Sequence, residues 1–213
     1  MLFSGTGSIE KGFLSCYPNS LVVTVDQDPH WQPTFAEKVQ DWNFKQYTPG
    51  YFDVIWASPP CTEYSQAKTT GIRQLRQADA CVRRTLQIID YLKPTHWFLE
   101  NPMGRFPFAL RFRPVVRSLP TPLPCSYCMY GTGYRKPTCI WTQSPPPTEL
   151  LYCTAETPCL HRQTLGAHPE TAQLGPHPRQ QGAGTSSAVY PLPAGLLHQL
   201  FDSLFTHKSI AHA

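Results

Sequence analysis

Cys61 stands in "DVIWASPPCTEYSQAKTTG", residues 53–71, just after an apolar run and two prolines. A strand over 53–57 that Pro59 and Pro60 stop would aim this thiol into a cleft, with a polar loop over 62–71 behind it. A nucleophilic cysteine needs exposure and a way to populate its thiolate. The local motif offers no histidine for that task. Glu100 closes a second apolar run, "HWFLENP". It is poor at activating a thiol but suited to protonating a heteroaromatic ring nitrogen. The pair points to attack on a base rather than on a carbonyl. The competing reading of Cys61 is a small buried core residue, since free cysteines are often buried.

Two other groups carry chemistry. Gly5-Thr6-Gly7 follows Leu2-Phe3 and precedes a helix expected to begin near Ser8. Such a turn lets a ligand approach the backbone at a helix N-terminus. It lacks the third glycine of the dinucleotide fingerprint and the lysine of a P-loop. Asp26 ends the run "LVVTVDQD" about twenty residues on, where an acid can hold ribose hydroxyls. Together they suggest an adenosine-bearing cofactor. Further along, Cys125-x2-Cys128 precedes Cys153, Cys159, His161 and His168. That set is compatible with tetrahedral zinc stapling a proline-rich region, and irregular spacing favours the competing reading of free thiols.

The elements that must position these groups are legible as apolar runs. A strand end is expected at Leu2-Phe3, and strands over 21–28, 53–57, 96–102 and 138–142. A helix between Arg73 and Leu92 places Leu75, Ala78, Val82, Leu86, Ile89 and Leu92 on one face. Strands alternating with helices predict a doubly wound α/β sheet, in which ligands bind outside the carboxyl ends of the strands. The glycine loop, Asp26, Cys61 and Glu100 all fall at such ends. Residues 143–184 are rich in Pro, Gly, His and Gln and break the pattern. "AVYPLPAGLLHQLFDSLF" then resumes helical spacing, with Leu196, Leu197, Leu200, Leu204 and Phe205 inward. Three parts are expected: a core over 1–142, an irregular loop-rich insertion over 143–184, and a returning segment over 185–213.

With 213 residues, 41% hydrophobic and 15% charged, the composition is that of a globular protein able to bury a core. No run approaches the roughly 18 apolar residues of a membrane span. "MLFSGTGSIEK" lacks the basic and apolar regions of a signal peptide. An intracellular protein with no membrane association is expected, and its eight cysteines are then thiols or ligands rather than a disulfide framework. A net charge of +4 permits a polyanionic partner without requiring one.

In order along the chain, these stretches resemble the DNA cytosine-5 methyltransferase family in its compact, phage-like form. "LFSGTGSIEKGF" is similar to the family's S-adenosylmethionine motif, "VDQD" to its acidic second motif, and Asp41 in "VQDW" to its third. "SPPCTEYS" resembles the nucleophile loop, "FLENP" the Glu-Asn motif, "YGTGYRKPTCIWT" the arginine-bearing strand and "SSAVYPLP" the last motif. The resemblance implies a Rossmann-like methyltransferase sheet, S-adenosylmethionine as cofactor and DNA as partner of a monomer. Cys61 would attack C6 of a flipped cytosine while Glu100 engages N3 and the exocyclic amine. Phe3 would pack on adenine, Gly5 and Gly7 line the methionine end, Asp26 hold the ribose and Asp41 the adenine amine. Ser4, Pro59 and Ser187 join the cofactor side. Pro60, Ser65, Lys68, Arg73, Asn101 and Lys136 join the substrate side, Asn101 orienting the strand and loop around Glu100.

Departures from the family stand out in the first strand, the later motifs and the insertion. Only Met1 and Leu2 precede Phe3, so the first strand is short and the base of the cofactor site weakened. Cys139 and Pro137 fall where arginines are usual, which leaves Arg135 and Lys136 as substitutes, with Arg135 assigned to the catalytic set. Ser187 stands where asparagine is common, and the small insertion implies a short or relaxed target sequence. A tRNA cytosine-5 enzyme and a relative that has lost turnover are the competing readings.

Overall fold

The structure, a computed structural model, describes residues 1–66, 68–170, 191–202 and 204–205. Its centre is a mixed sheet. β1 (Val25–Asp26) pairs in parallel with β2 (Phe35–Ala36), and β3 (Val54–Ala57) pairs in parallel with β4 (His96–Pro102). Beyond β4 lie β6 (Pro137–Thr142) and then β5 (Leu123–Ser126), with β6 antiparallel to both neighbours. Leu2 lies between the two ladders, bridging Val25 on one side and Ala57 on the other. Its N–H bonds Trp56 O at 2.8 Å, and Phe3 N–H bonds Val25 O at 2.9 Å.

The expected α/β sheet with helices on both faces is present, and β6 makes it mixed. β1 is shorter than the run 21–28. Ahead of it, Thr24 and Thr34 each donate a backbone N–H to the other's hydroxyl, at 3.1 and 2.8 Å, in place of a backbone ladder. β4 fills the expected range in full.

Alternation along the strands sorts the core into two layers. Trp56 and Phe98 stack at 5.4 Å on the face covered by α1 (Ser8–Cys16) and α4 (Ala194–Phe201). α1 and α4 pack so closely that a Cβ at Gly12 would strike Leu197. Ile55, Ala57, Trp97 and Leu99 face the other way, onto Val82, Ile88, Ile89 and Leu92 of α2 (Leu75–Leu92). α2 stops at Lys93, which takes the left-handed conformation at φ 45° just before Pro94. Leu196, Leu197 and Leu200 are buried as expected, and Leu204 and Phe205 pack against the same cluster. Among the described residues, no helix is long and apolar enough to cross a membrane.

Candidate active site

β1, β3 and β4 share one direction, so their carboxyl ends open at one edge of the sheet. β6 runs against them and therefore brings its amino end there, with Lys136 just before Pro137. β5 delivers Tyr127 to the same edge, since Ser126 is paired with Pro137.

At the first of these ends the glycine loop is built around Asp26. Gly5 N–H donates to Asp26 Oδ2 at 2.8 Å, and Asp28 N–H donates to Oδ1 at 3.0 Å. Each oxygen keeps a free lone-pair direction for a ligand hydroxyl. Phe3, Gly5 and Gly7 have φ of 59°, 47° and 71°. The two glycines adopt this without cost, whereas a positive φ at a bulky residue is uncommon and is the kind of strain found at ligand clamps. A Cβ at Gly5 would meet nothing within 4 Å, so open space lies over the loop. Asp41 is exposed in the turn after β2, its N–H bonded to Lys38 O at 2.9 Å.

At the second end, Pro59 is buried and Pro60 exposed, and Cys61 starts a turn whose carbonyl accepts from Tyr64 and Ser65 N–H at 2.9 and 2.8 Å. Asn101, fully buried, donates Nδ2 to Pro59 O at 3.0 Å and so ties this loop to β4. Tyr64 anchors it from below, donating its hydroxyl to Asp79 Oδ1 at 3.0 Å on α2. Asp79 in turn takes Arg113 at 2.7 Å. The Tyr64–Asp79–Arg113 chain was not legible beforehand, because Asp79 lies among ordinary helix residues.

Glu100 is the third member and is buried. Tyr127 donates its hydroxyl to Glu100 Oε1 at 3.2 Å, and Lys136 Nζ lies 3.7 Å from the same oxygen. Nζ also sits 4.7 Å above the Tyr127 ring. Burial pushes the Tyr127 phenol well above its ordinary value, with Glu100 adding to the effect, so it stays protonated and donates. Burial likewise raises the Cys61 thiol; the Lys136 cation pulls it down and the Glu100 charge pushes it up. Cys61, Glu100 and Lys136 therefore share one electrostatic neighbourhood.

Other expected residues are placed differently. Arg135 donates to Cys153 O at 3.0 Å and has its guanidinium 5.8 Å from the Tyr152 ring. Lys136, not Arg135, presents the cation to Glu100. Lys68 and Arg73 are held within their own loop. Lys68 pairs with Glu63 at 2.6 Å, while Arg73 donates to the carbonyls of Glu63, Ser65 and Lys68 and lies 4.5 Å from the Phe108 ring. Ser187 lies outside the described residues. Of the six residues considered for metal, Cys128, Cys153, Cys159 and His168 come together. Cys125 sits in β5 opposite Thr138, and His161 stays outside the cluster. A cavity of about 450 Å³ opens at the opposite edge of the sheet, among Met1, Tyr17, Leu21, Tyr51 and Phe205. None of the residues singled out for chemistry lines it.

The model of the C-5 cytosine-specific DNA methylase family matches residues 1–104, which include the glycine loop, Asp26, Cys61 and Glu100. A protein of frog virus 3 (isolate Goorha), described as a probable DNA (cytosine-5)-methyltransferase, is 32% identical over 155 residues, covering 66% of this chain and 68% of the relative. A solved structure of a prophage-encoded protein of E. coli, described as a DNA modification methyltransferase, matches at 17% identity and a TM-score of 0.49. That match covers 66% of this chain and 44% of the other, so this chain spans less than half of that protein's length. The sequence match to the viral relative and the family match over residues 1–104 agree, and the chain belongs to the C-5 cytosine-specific DNA methylase family.

Proposed function

We propose that this chain methylates C5 of cytosine in DNA through a covalent bond to Cys61, with S-adenosylmethionine as the methyl donor. The observation that carries the reading is the convergence of Cys61, Glu100 and Lys136 at the edge that also holds the glycine loop. Phe3, Ser4, Gly5, Gly7, Asp26, Asp41 and Pro59 would hold the cofactor. The open space over Gly5 and the free lone pairs of Asp26 fit a nucleoside with ribose hydroxyls. Bound there, S-adenosylmethionine supplies an electrophilic methyl group.

The chain's own residues do the rest. A target cytosine must leave its stack to reach a cleft of this kind. Cys61 Sγ, as thiolate, bonds to C6, and the ring's electron pair moves to C5 while Glu100 hydrogen-bonds or protonates N3. That converts C5 from a poor nucleophile into an enamine carbon able to take a methyl group. Loss of the C5 proton to water then breaks the C6–S bond and restores the thiolate, and any proton placed on N3 returns to Glu100. Lys136 balances the negative charge that Cys61 and Glu100 bring together, and takes the cation's role toward the cytosine oxygen. Tyr127 fixes the carboxyl group of Glu100. Pro60 and Ser65 flank the base.

The test is transfer of labelled methyl from S-adenosylmethionine to duplex DNA and to tRNA, with Cys61→Ala beside the wild type. Label in DNA as 5-methylcytosine, lost in Cys61→Ala, supports the proposal. Label confined to tRNA moves the same chemistry to the other substrate. A folded wild type that labels neither overturns it.

A further inference from the structure

The segment 150–170 has almost no apolar core of its own. The cluster at its centre consists of Cys128, Cys153 and Cys159, with Met129 packed against them. α3 (Leu160–Leu165) buries none of its residues and leaves Leu160 and Leu165 exposed. A six-residue helix is far below the length that holds itself in water, so packing does not explain why this segment is folded.

The three thiols and one imidazole do explain it. Cys128, Cys153 and Cys159 are free and buried, and all four ligand atoms, with that of His168, lie within 4.8 Å of one another. His168 Nε2 is 3.3 Å from Cys159 Sγ and 3.9 Å from Cys153 Sγ. A tetrahedral zinc with ordinary Zn–S and Zn–N lengths sets its ligands about 3.5–3.8 Å apart. The observed separations bracket that range.

The surroundings fit a metal as well. Thr154 Oγ1 accepts from Glu156 and Thr157 N–H at 3.1 and 2.9 Å, folding the chain after Cys153 into a tight knuckle. Cys159 caps α3, and Gly166, with φ 71°, turns the chain from α3 toward His168. Zn²⁺ with three thiolates and a neutral imidazole carries one net negative charge. Arg135 and Arg162 lie beside it, donating to Cys153 O at 3.0 Å and Thr154 O at 3.2 Å.

We infer that Cys128, Cys153, Cys159 and His168 bind a structural zinc ion that folds residues 150–170 against the end of β5. The site is closed, with four protein ligands and no position for substrate, so its role is architectural. It also fixes the carbonyl that holds Arg135, and through the neighbouring backbone it steadies Lys136 beside Glu100. This inference does not rest on the methyl-transfer proposal, and its test does not read activity.

The experiment uses the full chain, prepared with zinc supplied and then exchanged with Co²⁺. One zinc per chain is expected, and the cobalt form should show the strong visible absorption of tetrahedral thiolate coordination. Cys159→Ser and His168→Ala should each lose tight metal binding, whereas Cys125→Ser and His161→Ala should keep it. Chelation should open the chain to trypsin at Arg162 while the sheet stays folded by circular dichroism. Absence of stoichiometric metal in the folded protein overturns the inference. So does a disulfide among the three cysteines in the protein as isolated, or metal binding that depends on Cys125 in place of His168.

Discussion

Around Trp56, buried side chains from β3, β4 and α4 interlock, with Phe98 stacked on the ring and Phe201 edge-on at 5.7 Å. Around Cys153, burial involves two more thiols and little else. The first region is held by apolar area shared among many side chains. The second is held by a few directed bonds, and loss of one should release the whole segment. The same chain thus places reactive residues on a rigid sheet and a neighbouring segment on a tether.

Trp56→Ala should cost about 3–5 kcal/mol, the range for deleting a large buried aromatic. It should lower the urea midpoint of the entire sheet. Asp79→Ala leaves Arg113 and Tyr64 without their shared partner. Breaking a buried pair costs about 3–5 kcal/mol, and the partial exposure of Arg113 reduces this to about 2. The same substitution should free the loop that carries Cys61, seen as faster hydrogen exchange over 61–66. Asn101→Ala removes the tie to Pro59 and should cost about 1–2 kcal/mol, the usual scale for a lost buried hydrogen bond. Its methyl-transfer rate should fall by much more than that stability change accounts for.

The fourth prediction concerns pH. Burial raises the Cys61 thiol above its ordinary range and Lys136 opposes that shift. Removing the cation in Lys136→Met takes away a stabiliser of the thiolate, so the value rises further. Alkylation of Cys61, followed by mass spectrometry, should shift its pH profile upward. Glu100→Gln removes a negative neighbour and should shift it downward. An unchanged profile in both variants would separate Cys61 from the other two. The smallest effect expected is that of Cys159→Ser on the urea midpoint of the sheet, even as residues 150–170 become open to protease.

The reactive strand ends were legible because apolar runs that stop at a polar residue mark the edge of a parallel sheet. Asp26, Cys61 and Glu100 fall at such ends, with the prolines before Cys61 and the glycine loop before Asp26 as further signals. α2 was legible from its spacing. Which of Arg135 and Lys136 serves Glu100 was not, because neighbouring residues of an extended chain point to opposite sides. The Cys125-x2-Cys128 spacing misleads for a related reason: Cys125 lies in β5 and Cys128 in the turn after it, so their side chains diverge. β5 itself escaped notice, with Pro124 in a four-residue run. Proline is tolerated at a sheet edge, where its missing N–H is not needed. Arg73 is tied within its loop by backbone carbonyls, which any sequence possesses, and Lys68 by the carboxylate of Glu63 five residues earlier.

The borders of the sheet have a consequence for solubility. On one side it ends in β2, only two residues long. On the other, beside β5, Leu151 O accepts from Ser126 N–H at 3.0 Å, so the returning chain occupies part of that border. Unpaired strand borders are templates for joining another chain. If residues 150–153 swing away when the cysteine tether is cut, β5 becomes such a template. A chelated sample should then form oligomers as its concentration rises, even though every strand remains folded.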